Sequence, residues 1–304
     1  MAAVHGVVGH IYTNGVESDD NGTFQLDTMT NSWLEKDGFE DLRIHITEWN
    51  QKSTNSLDRD EDYGLFQAHE LLDIIESFMA AGVDQADVWP LIQNTANPLS
   101  AGMDYTGPTA PGEMFSMMSE NLPGKAAIDF TPGRDRDTEY EGDTVDVHAF
   151  AGQGDMVFYI ASITSETAIN DIDLSKLVAG YDTMDISVLG VMLGESPGNT
   201  RSDVDVQQLN AEDIFQEGIL EVDLDEGEIM QVIIRGIQPT ESFAPTLDAI
   251  DDAEFGDDPV VPIYDPVVPD DEPEDLDDDS DGGLGDLAFL LGLIPILALF
   301  GLAG

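Results

Sequence analysis

The sequence contains no cysteine, so disulfide bonds and thiolate metal sites are both excluded. Basic residues are also scarce: Lys and Arg total 10 against 63 Asp and Glu, which gives a formal net charge of -53. A surface of this charge repels nucleic acid, and we expect no nucleic-acid partner. Repulsion among so many carboxylates is relieved by screening cations, which favours a saline or calcium-rich setting outside the cell.

A secretory signal is also missing from the first residues, which have neither a basic region nor an uninterrupted apolar stretch. Two interpretations stay open. Either export is directed by the C-terminus, as in type I secretion, or the true N-terminus lies upstream of Met1. With the acidic composition, both are consistent with an extracellular or cell-surface location.

Residues 1–124 alternate short apolar runs with helical patterns, which is typical of parallel β/α units. The clearest helical pattern is Gly64 to Ala81, where apolar residues recur every three or four positions. Pro111 precedes a further helical pattern over Gly112 to Asn121. The predicted strands are Val4 to Tyr12, Leu42 to Trp49 and Ala86 to Ile92. Between the first two strands, Phe24 to Leu34 has a helical pattern.

The pattern changes after residue 124. Residues 125–238 contain alternating strands separated by Gly, Asp and Asn turns, which predicts an all-β sandwich. Residues 239–286 are rich in Asp, Glu and Pro with few large apolar residues, and we expect a disordered acidic linker there. The chain therefore divides into an α/β part, a sandwich, a linker and an apolar C-terminal segment.

That apolar segment, residues 287–304, has no charge over 18 residues, which is near the lower limit for crossing a bilayer. Pro295 and the absence of any basic residue after Arg235 weaken the pattern of a membrane anchor. Membrane contact through this segment, a C-terminal export signal and docking on a partner all remain open.

Glu48 ends the apolar run RIHITEW, and the carboxyl end of a barrel strand is where barrel enzymes display catalytic side chains. Glu48, Trp49 and Asn50 resemble the end of the seventh strand in retaining glycoside hydrolases of the β-xylosidase and arabinofuranosidase type. The resemblance covers roughly residues 1 to 125. It implies a partial (β/α) barrel with strands resembling six to eight, a saccharide substrate, and Glu48 as the catalytic nucleophile.

The resemblance also implies roles for four neighbours of Glu48. His10 and Tyr12 match sixth-strand residues that hold the nucleophile ionised, and Trp89 matches an aromatic floor under the sugar. Asn50 is a candidate ligand for a sugar hydroxyl. The competing interpretations are a structural role for His10 and Tyr12, core packing for Trp89, and loop hydrogen bonding for Asn50.

The sequence departs from the family in one important respect. Retaining hydrolysis needs a second carboxyl group about 5 Å from the nucleophile. The family carries it on strand four, and no segment of this chain matches that strand. Because a closed barrel has eight strands, we interpret the chain as a fragment or remnant that lacks an N-terminal barrel portion. No hydrolysis is expected from it alone; the alternative is a non-catalytic secreted or surface protein that binds glycan or calcium.

No cofactor is expected, and calcium is the one metal that the sequence suggests. Asp277, Asp279 and Asp281, followed by Gly282, match the opening of a calcium-binding loop. Position twelve of that loop is Ala288, where a bidentate Glu is required. The alternatives are a defined calcium site at these aspartates and diffuse cation binding along the acidic run.

Overall fold

The structure is a computed structural model that describes residues 6–15, 24–34, 42–103, 106–128, 139–141 and 144–252. The expected calcium-binding aspartates and the apolar segment 287–304 lie outside these residues. Within the described part, no helix has both the length and the apolar character needed to cross a membrane.

The three predicted N-terminal strands form one parallel sheet. Strands β1 (Gly6–Thr13), β2 (Arg43–Gln51) and β3 (Gln85–Val88) lie in the order β1-β2-β3. Strand β3 is shorter than expected and ends before Pro90, which has no N–H group to continue the ladder. In the described residues these strands form an open sheet and do not close into a barrel.

Helices separate these strands, as the sequence pattern predicts. Helix α1 (Phe24–Thr28) continues into a π-helical turn (Met29–Trp33), and α2 (Leu65–Ala80) joins β2 to β3. Helix α3 (Ala110–Asn121) begins two residues earlier than predicted, because the Thr109 side chain accepts a hydrogen bond from the Gly112 N–H and caps it.

The rest of the described chain consists mainly of antiparallel strands. In chain order the elements are β4 (Ala126–Ala127), β5 (Glu139–Glu141), β6 (Val145–Gly152), β7 (Asp155–Ser162), β8 (Ala168–Asp173), β9 (Val178–Gly180), β10 (Thr183–Val191), β11 (Val204–Leu209), α4 (Ala211–Ile214), β12 (Phe215–Gln216), β13 (Ile219–Leu224), β14 (Ile229–Arg235), β15 (Gln238–Pro239) and α5 (Ala244–Asp252). A seven-stranded sheet has the order β11-β10-β14-β7-β6-β4, with β5 also paired to β6. A smaller sheet has the order β12-β13-β8, and β15 pairs with β9.

The large sheet is apolar on both faces. Along β7, Phe158 and its alternate neighbours share a cluster with β8 and β13, whereas Tyr159 and its alternate neighbours share a cluster with α2 and α3. The sequence predicted an all-β sandwich over residues 125–238, and a helical layer against one of its sheets was not part of that prediction. The apolar cluster that contains α2 and α3 also contains residues of β6 and β7, so it extends across the predicted domain boundary at residue 124. That boundary stays a prediction.

The start of the expected acidic linker is ordered, contrary to the sequence interpretation. Residues 239–252 include the end of β15 and the whole of α5. Leu247 and Ile250 of α5, and Phe243 just before it, are buried against the antiparallel region, so this short segment has an apolar face that the acidic composition obscured.

A tight contact between two loops joins the α/β part to the large sheet. The N–H of Tyr63 donates to the carbonyl of Gly198, and the N–H of Leu65 donates to the carbonyl of Pro197. Gly64 lies between them with φ of 59°, and a Cβ at this position would lie 2.2 Å from the Pro197 carbonyl oxygen. Only glycine fits both the left-handed backbone and the close approach.

Replacing Gly64 with alanine should therefore destabilise the protein strongly. Gly154, in the turn between β6 and β7, is the matched control, because its φ is 78° but nothing lies within 4 Å of an added Cβ. We expect Gly154→Ala to cost about 1 to 2 kcal/mol from backbone strain alone. Gly64→Ala should cost about 2 kcal/mol more, because the added methyl group also clashes with Pro197. Urea unfolding in high salt measures both losses, and equal losses would contradict the close contact.

Candidate active site

Glu48 lies near the carboxyl end of the central parallel strand. In the register of β1 and β2, Gly9 pairs with Ile46 and His10 with Glu48, so Thr47 is an extra residue in β2. Such a bulge changes the direction of the following side chains, and bulges are common next to active sites. The irregularity brings Glu48 opposite His10.

One carboxylate oxygen of Glu48 is held by two side chains of β1. The Tyr12 hydroxyl donates to Glu48 Oε2 at 3.0 Å, and His10 Nδ1 lies 3.3 Å from the same oxygen. The Glu48 side chain is 38% exposed, so the group is open to solvent. Burial, together with the neighbouring Glu48 carboxylate, raises the pKa of Tyr12, which keeps the phenol protonated as a hydrogen-bond donor.

Trp89 follows the end of β3, beside the end of β2. Its backbone N–H donates to the carbonyl of Trp49 at 3.1 Å, and its side chain is 50% exposed. Trp49, in contrast, is fully buried and packs edge to face on Phe78 with ring centroids 5.6 Å apart. Of these two tryptophans, Trp89 is the one with an exposed ring on which a sugar could stack.

Asn50 lies beneath this surface rather than on it. It is fully buried, its Nδ2 donates to the carbonyls of Trp89 and Asn97, and its Oδ1 accepts from the Gln51 N–H and from Gln67 Nε2. These bonds use the donors and acceptor sites of the amide. The expected role as a sugar ligand is therefore replaced by a structural one, in which Asn50 fixes the loop that carries Trp89.

Another carboxyl group, Glu70 of α2, lies near the end of β1. It is buried, and burial raises its pKa to about 7, while the nearby Thr13 side chain lowers it in part. At 2% exposure this group is enclosed by protein and is not placed to protonate a leaving group on a bound saccharide.

A polar group that the sequence pattern did not indicate lies between α2 and β6. It consists of His69, Asp73 and Glu76 on the helix and Asp146 and His148 on the strand. The available signals were the helical spacing of the first three and the two polar residues at alternate positions of the apolar run TVDVHAF. Nothing in a single sequence indicates that this helix face and this strand face meet.

No protein-family model and no curated protein matches the chain. Solved structures that resemble it include glycoside hydrolases. The family 51 arabinofuranosidase of Xanthomonas axonopodis pv. citri has 12% identity, covers 76% of this chain and gives a TM-score of 0.48. The α-L-arabinofuranosidase of Thermotoga maritima has 13% identity, covers 75% of this chain and gives a TM-score of 0.49. The family 30 xylanase of Clostridium acetobutylicum has 12% identity, covers 64% of this chain and gives a TM-score of 0.42. This chain spans 53%, 52% and 43% of those three proteins, respectively.

Asn50→Ala should destabilise the protein by about 2 to 4 kcal/mol, because the carbonyls of Trp89 and Asn97 would lose a buried donor. Asn55→Ala is the control: Asn55 is exposed in the following loop, and its loss should cost within about 0.5 kcal/mol. Urea unfolding followed by tryptophan fluorescence tests both variants. A stability loss for Asn50→Ala no larger than that for Asn55→Ala would show that the amide does not fix the loop.

Proposed function

We propose that this chain is part of a retaining glycoside hydrolase that acts on an oligo- or polysaccharide, with Glu48 as its nucleophile. The observation that carries the proposal is the setting of Glu48 at the carboxyl edge of a parallel sheet. There, one of its oxygens is held by Tyr12 and His10 while the side chain stays partly exposed. The net charge of -53 supports an extracellular or surface location as part of the same proposal.

In the proposed reaction Glu48 attacks the anomeric carbon of the bound sugar and forms a glycosyl ester, while the bond to the leaving oxygen breaks. Water then attacks the same carbon, gives a proton to the group that protonated the leaving oxygen, and releases Glu48 as a carboxylate. The hydrogen bond from Tyr12 orients Glu48 through Oε2 and leaves Oε1 for the attack. Trp89 is proposed to stack on the sugar ring at the edge of the site.

The acid that protonates the leaving oxygen is proposed to come from outside this chain. Retaining enzymes place it about 5 Å from the nucleophile. Glu70 is enclosed by protein, and no segment matches the family's acid-bearing strand. We therefore expect the chain alone to leave ordinary glycosides unhydrolysed.

A glycosyl fluoride with fluorine at carbon 2 tests the nucleophile without the acid, because fluoride departs without protonation. We expect xylosyl, arabinosyl or glucosyl versions of this reagent to add one sugar mass to the folded chain. Peptide mapping by mass spectrometry should locate it on Glu48. Glu48→Gln should remove the label and leave the unfolding midpoint nearly unchanged, because the side chain is partly exposed and amide and carboxylate have similar shapes.

Glu61→Gln is the matched control, because Glu61 is an exposed glutamate of the loop after β2, and this variant should keep the label. A label on another carboxylate would refute the assignment of Glu48. Glycan binding without any label, lost on Trp89→Ala, would instead support the second candidate function, a non-catalytic glycan-binding protein. The exposed ring of Trp89 is the observation that favours that alternative.

A further inference from the structure

Four potential metal ligands meet between α2 and the large sheet. On β6, Asp146 and His148 lie on the same face as Phe150, which belongs to the core shared with α2. His69 and Asp73 are one turn apart on α2 and extend toward them. His148 is 0% exposed, His69 6% and Asp146 7%, whereas the Asp73 side chain is 30% exposed, so protein encloses three of the four residues.

The four ligand atoms are arranged around a common centre. His69 Nε2 lies 3.0 Å from Asp146 Oδ2 and 3.7 Å from Asp73 Oδ1. His148 Nε2 lies 3.5 Å from Asp73 Oδ1 and 3.6 Å from Asp146 Oδ2. All four atoms lie within 4.8 Å of one another. A tetrahedral zinc ion with bonds of about 2.0 to 2.1 Å separates its ligand atoms by about 3.3 Å, which is close to these distances.

His148 provides an independent sign of a ligand. Its Nε2 is buried within this group and has no hydrogen-bond partner, although buried nitrogen atoms of this kind are nearly always paired. Its other ring nitrogen, Nδ1, lies 2.5 Å from Glu76 Oε2. Metal-bound histidines commonly donate their second N–H to a carboxylate in this way, which orients the ring and directs the other nitrogen at the metal.

The charges around the centre also favour a cation. Three carboxylates, those of Asp73, Glu76 and Asp146, lie within ion-pair distance of the two imidazoles. A divalent ion would neutralise the negative charge that these carboxylates bring between the helix and the sheet.

We propose that His69 Nε2, Asp73 Oδ1, Asp146 Oδ2 and His148 Nε2 bind one divalent transition-metal ion, and that Glu76 orients His148. Two imidazoles and two carboxylates suit zinc, whereas calcium takes six to eight oxygen ligands. A closed set of four protein ligands, here three buried residues and the partly exposed Asp73, is typical of structural rather than catalytic zinc. The ion would fasten α2 to β6, and this role does not depend on the proposed hydrolase function.

Cobalt spectroscopy on the full chain tests the site despite the many surface carboxylates. Protein stripped with a chelator is titrated with Co²⁺ in high salt and excess Ca²⁺, which occupies the acidic surface. We expect one equivalent to give the strong visible absorption of tetrahedral cobalt, whereas oxygen-bound surface cobalt is octahedral and absorbs weakly. One equivalent of Zn²⁺ should remove this absorption and raise the unfolding midpoint by about 5 °C or more.

Variants then assign the ligands. His69→Gln and His148→Gln should each abolish the tetrahedral signal, and Glu76→Gln should weaken cobalt affinity about 10- to 100-fold. His45→Gln is the matched control, since His45 lies on β2 beside Gly6, and it should leave the titration unchanged. Circular dichroism establishes that each variant is folded.

Two outcomes would overturn the proposal. One is folded wild-type chain that gives neither tetrahedral cobalt absorption nor a zinc-dependent rise in the unfolding midpoint. The group would then be an internal network of hydrogen bonds and ion pairs. The other is a tetrahedral signal that persists in both histidine variants, which would place the metal elsewhere.

Discussion

The seven-stranded sheet must be covered on both faces, and the rest of the described structure depends on this requirement. All eight residues of β6 and seven of the eight residues of β7 are buried. Strands buried on both sides are stable only between two other layers. The smaller sheet of β8 and β13 covers one face, and α2 and α3 cover the other. Because α2 also packs behind the parallel strands, covering the large sheet fixes the position of the candidate active site.

Helix α2 connects the two sites physically. Gln67 donates to Asn50 and to the carbonyl of Asn97, and thereby supports the loop that carries Trp89. Two residues later, His69 faces β6 and bonds to Asp146. Ionisable groups buried at this junction carry a desolvation cost that apolar side chains would avoid. A bound cation would offset that cost. It would also hold α2 in place in addition to apolar packing, and α2 in turn supports the loop that carries Trp89.

The features predicted from sequence are those that local pattern determines. Period and length indicated the three parallel strands and α2, and the resemblance to glycoside hydrolases implied that His10 and Tyr12 lie beside Glu48. The failures have the opposite cause. The role of Asn50 depends on Gln67 and Asn97, which approach it from other parts of the chain.

The polar group between α2 and β6 was also beyond sequence reasoning, since His69 and Asp146 are 77 positions apart. Helix α5 was missed for a different reason. Its apolar face consists of only Leu247 and Ile250, with Phe243 just before the helix, in a composition that otherwise predicts disorder. Patterns that repeat within one element are readable from one sequence, whereas contacts between distant elements are not, unless a family resemblance implies them.

The proposed hydrolase function limits where an acid supplied from outside this chain would lie. Among the described strands β2 is central, β1 forms one edge and β3 the other. If β1 corresponds to a sixth barrel strand, strands five and four lie beyond it, on the side of His10 and Tyr12. An acid from strand four would then face Glu48 across the barrel mouth, since side chains at strand ends converge there. In the described residues, the outer edge of β1 has no partner strand. Under the proposed function, a strand that carries the acid would therefore join the sheet on the side of β1.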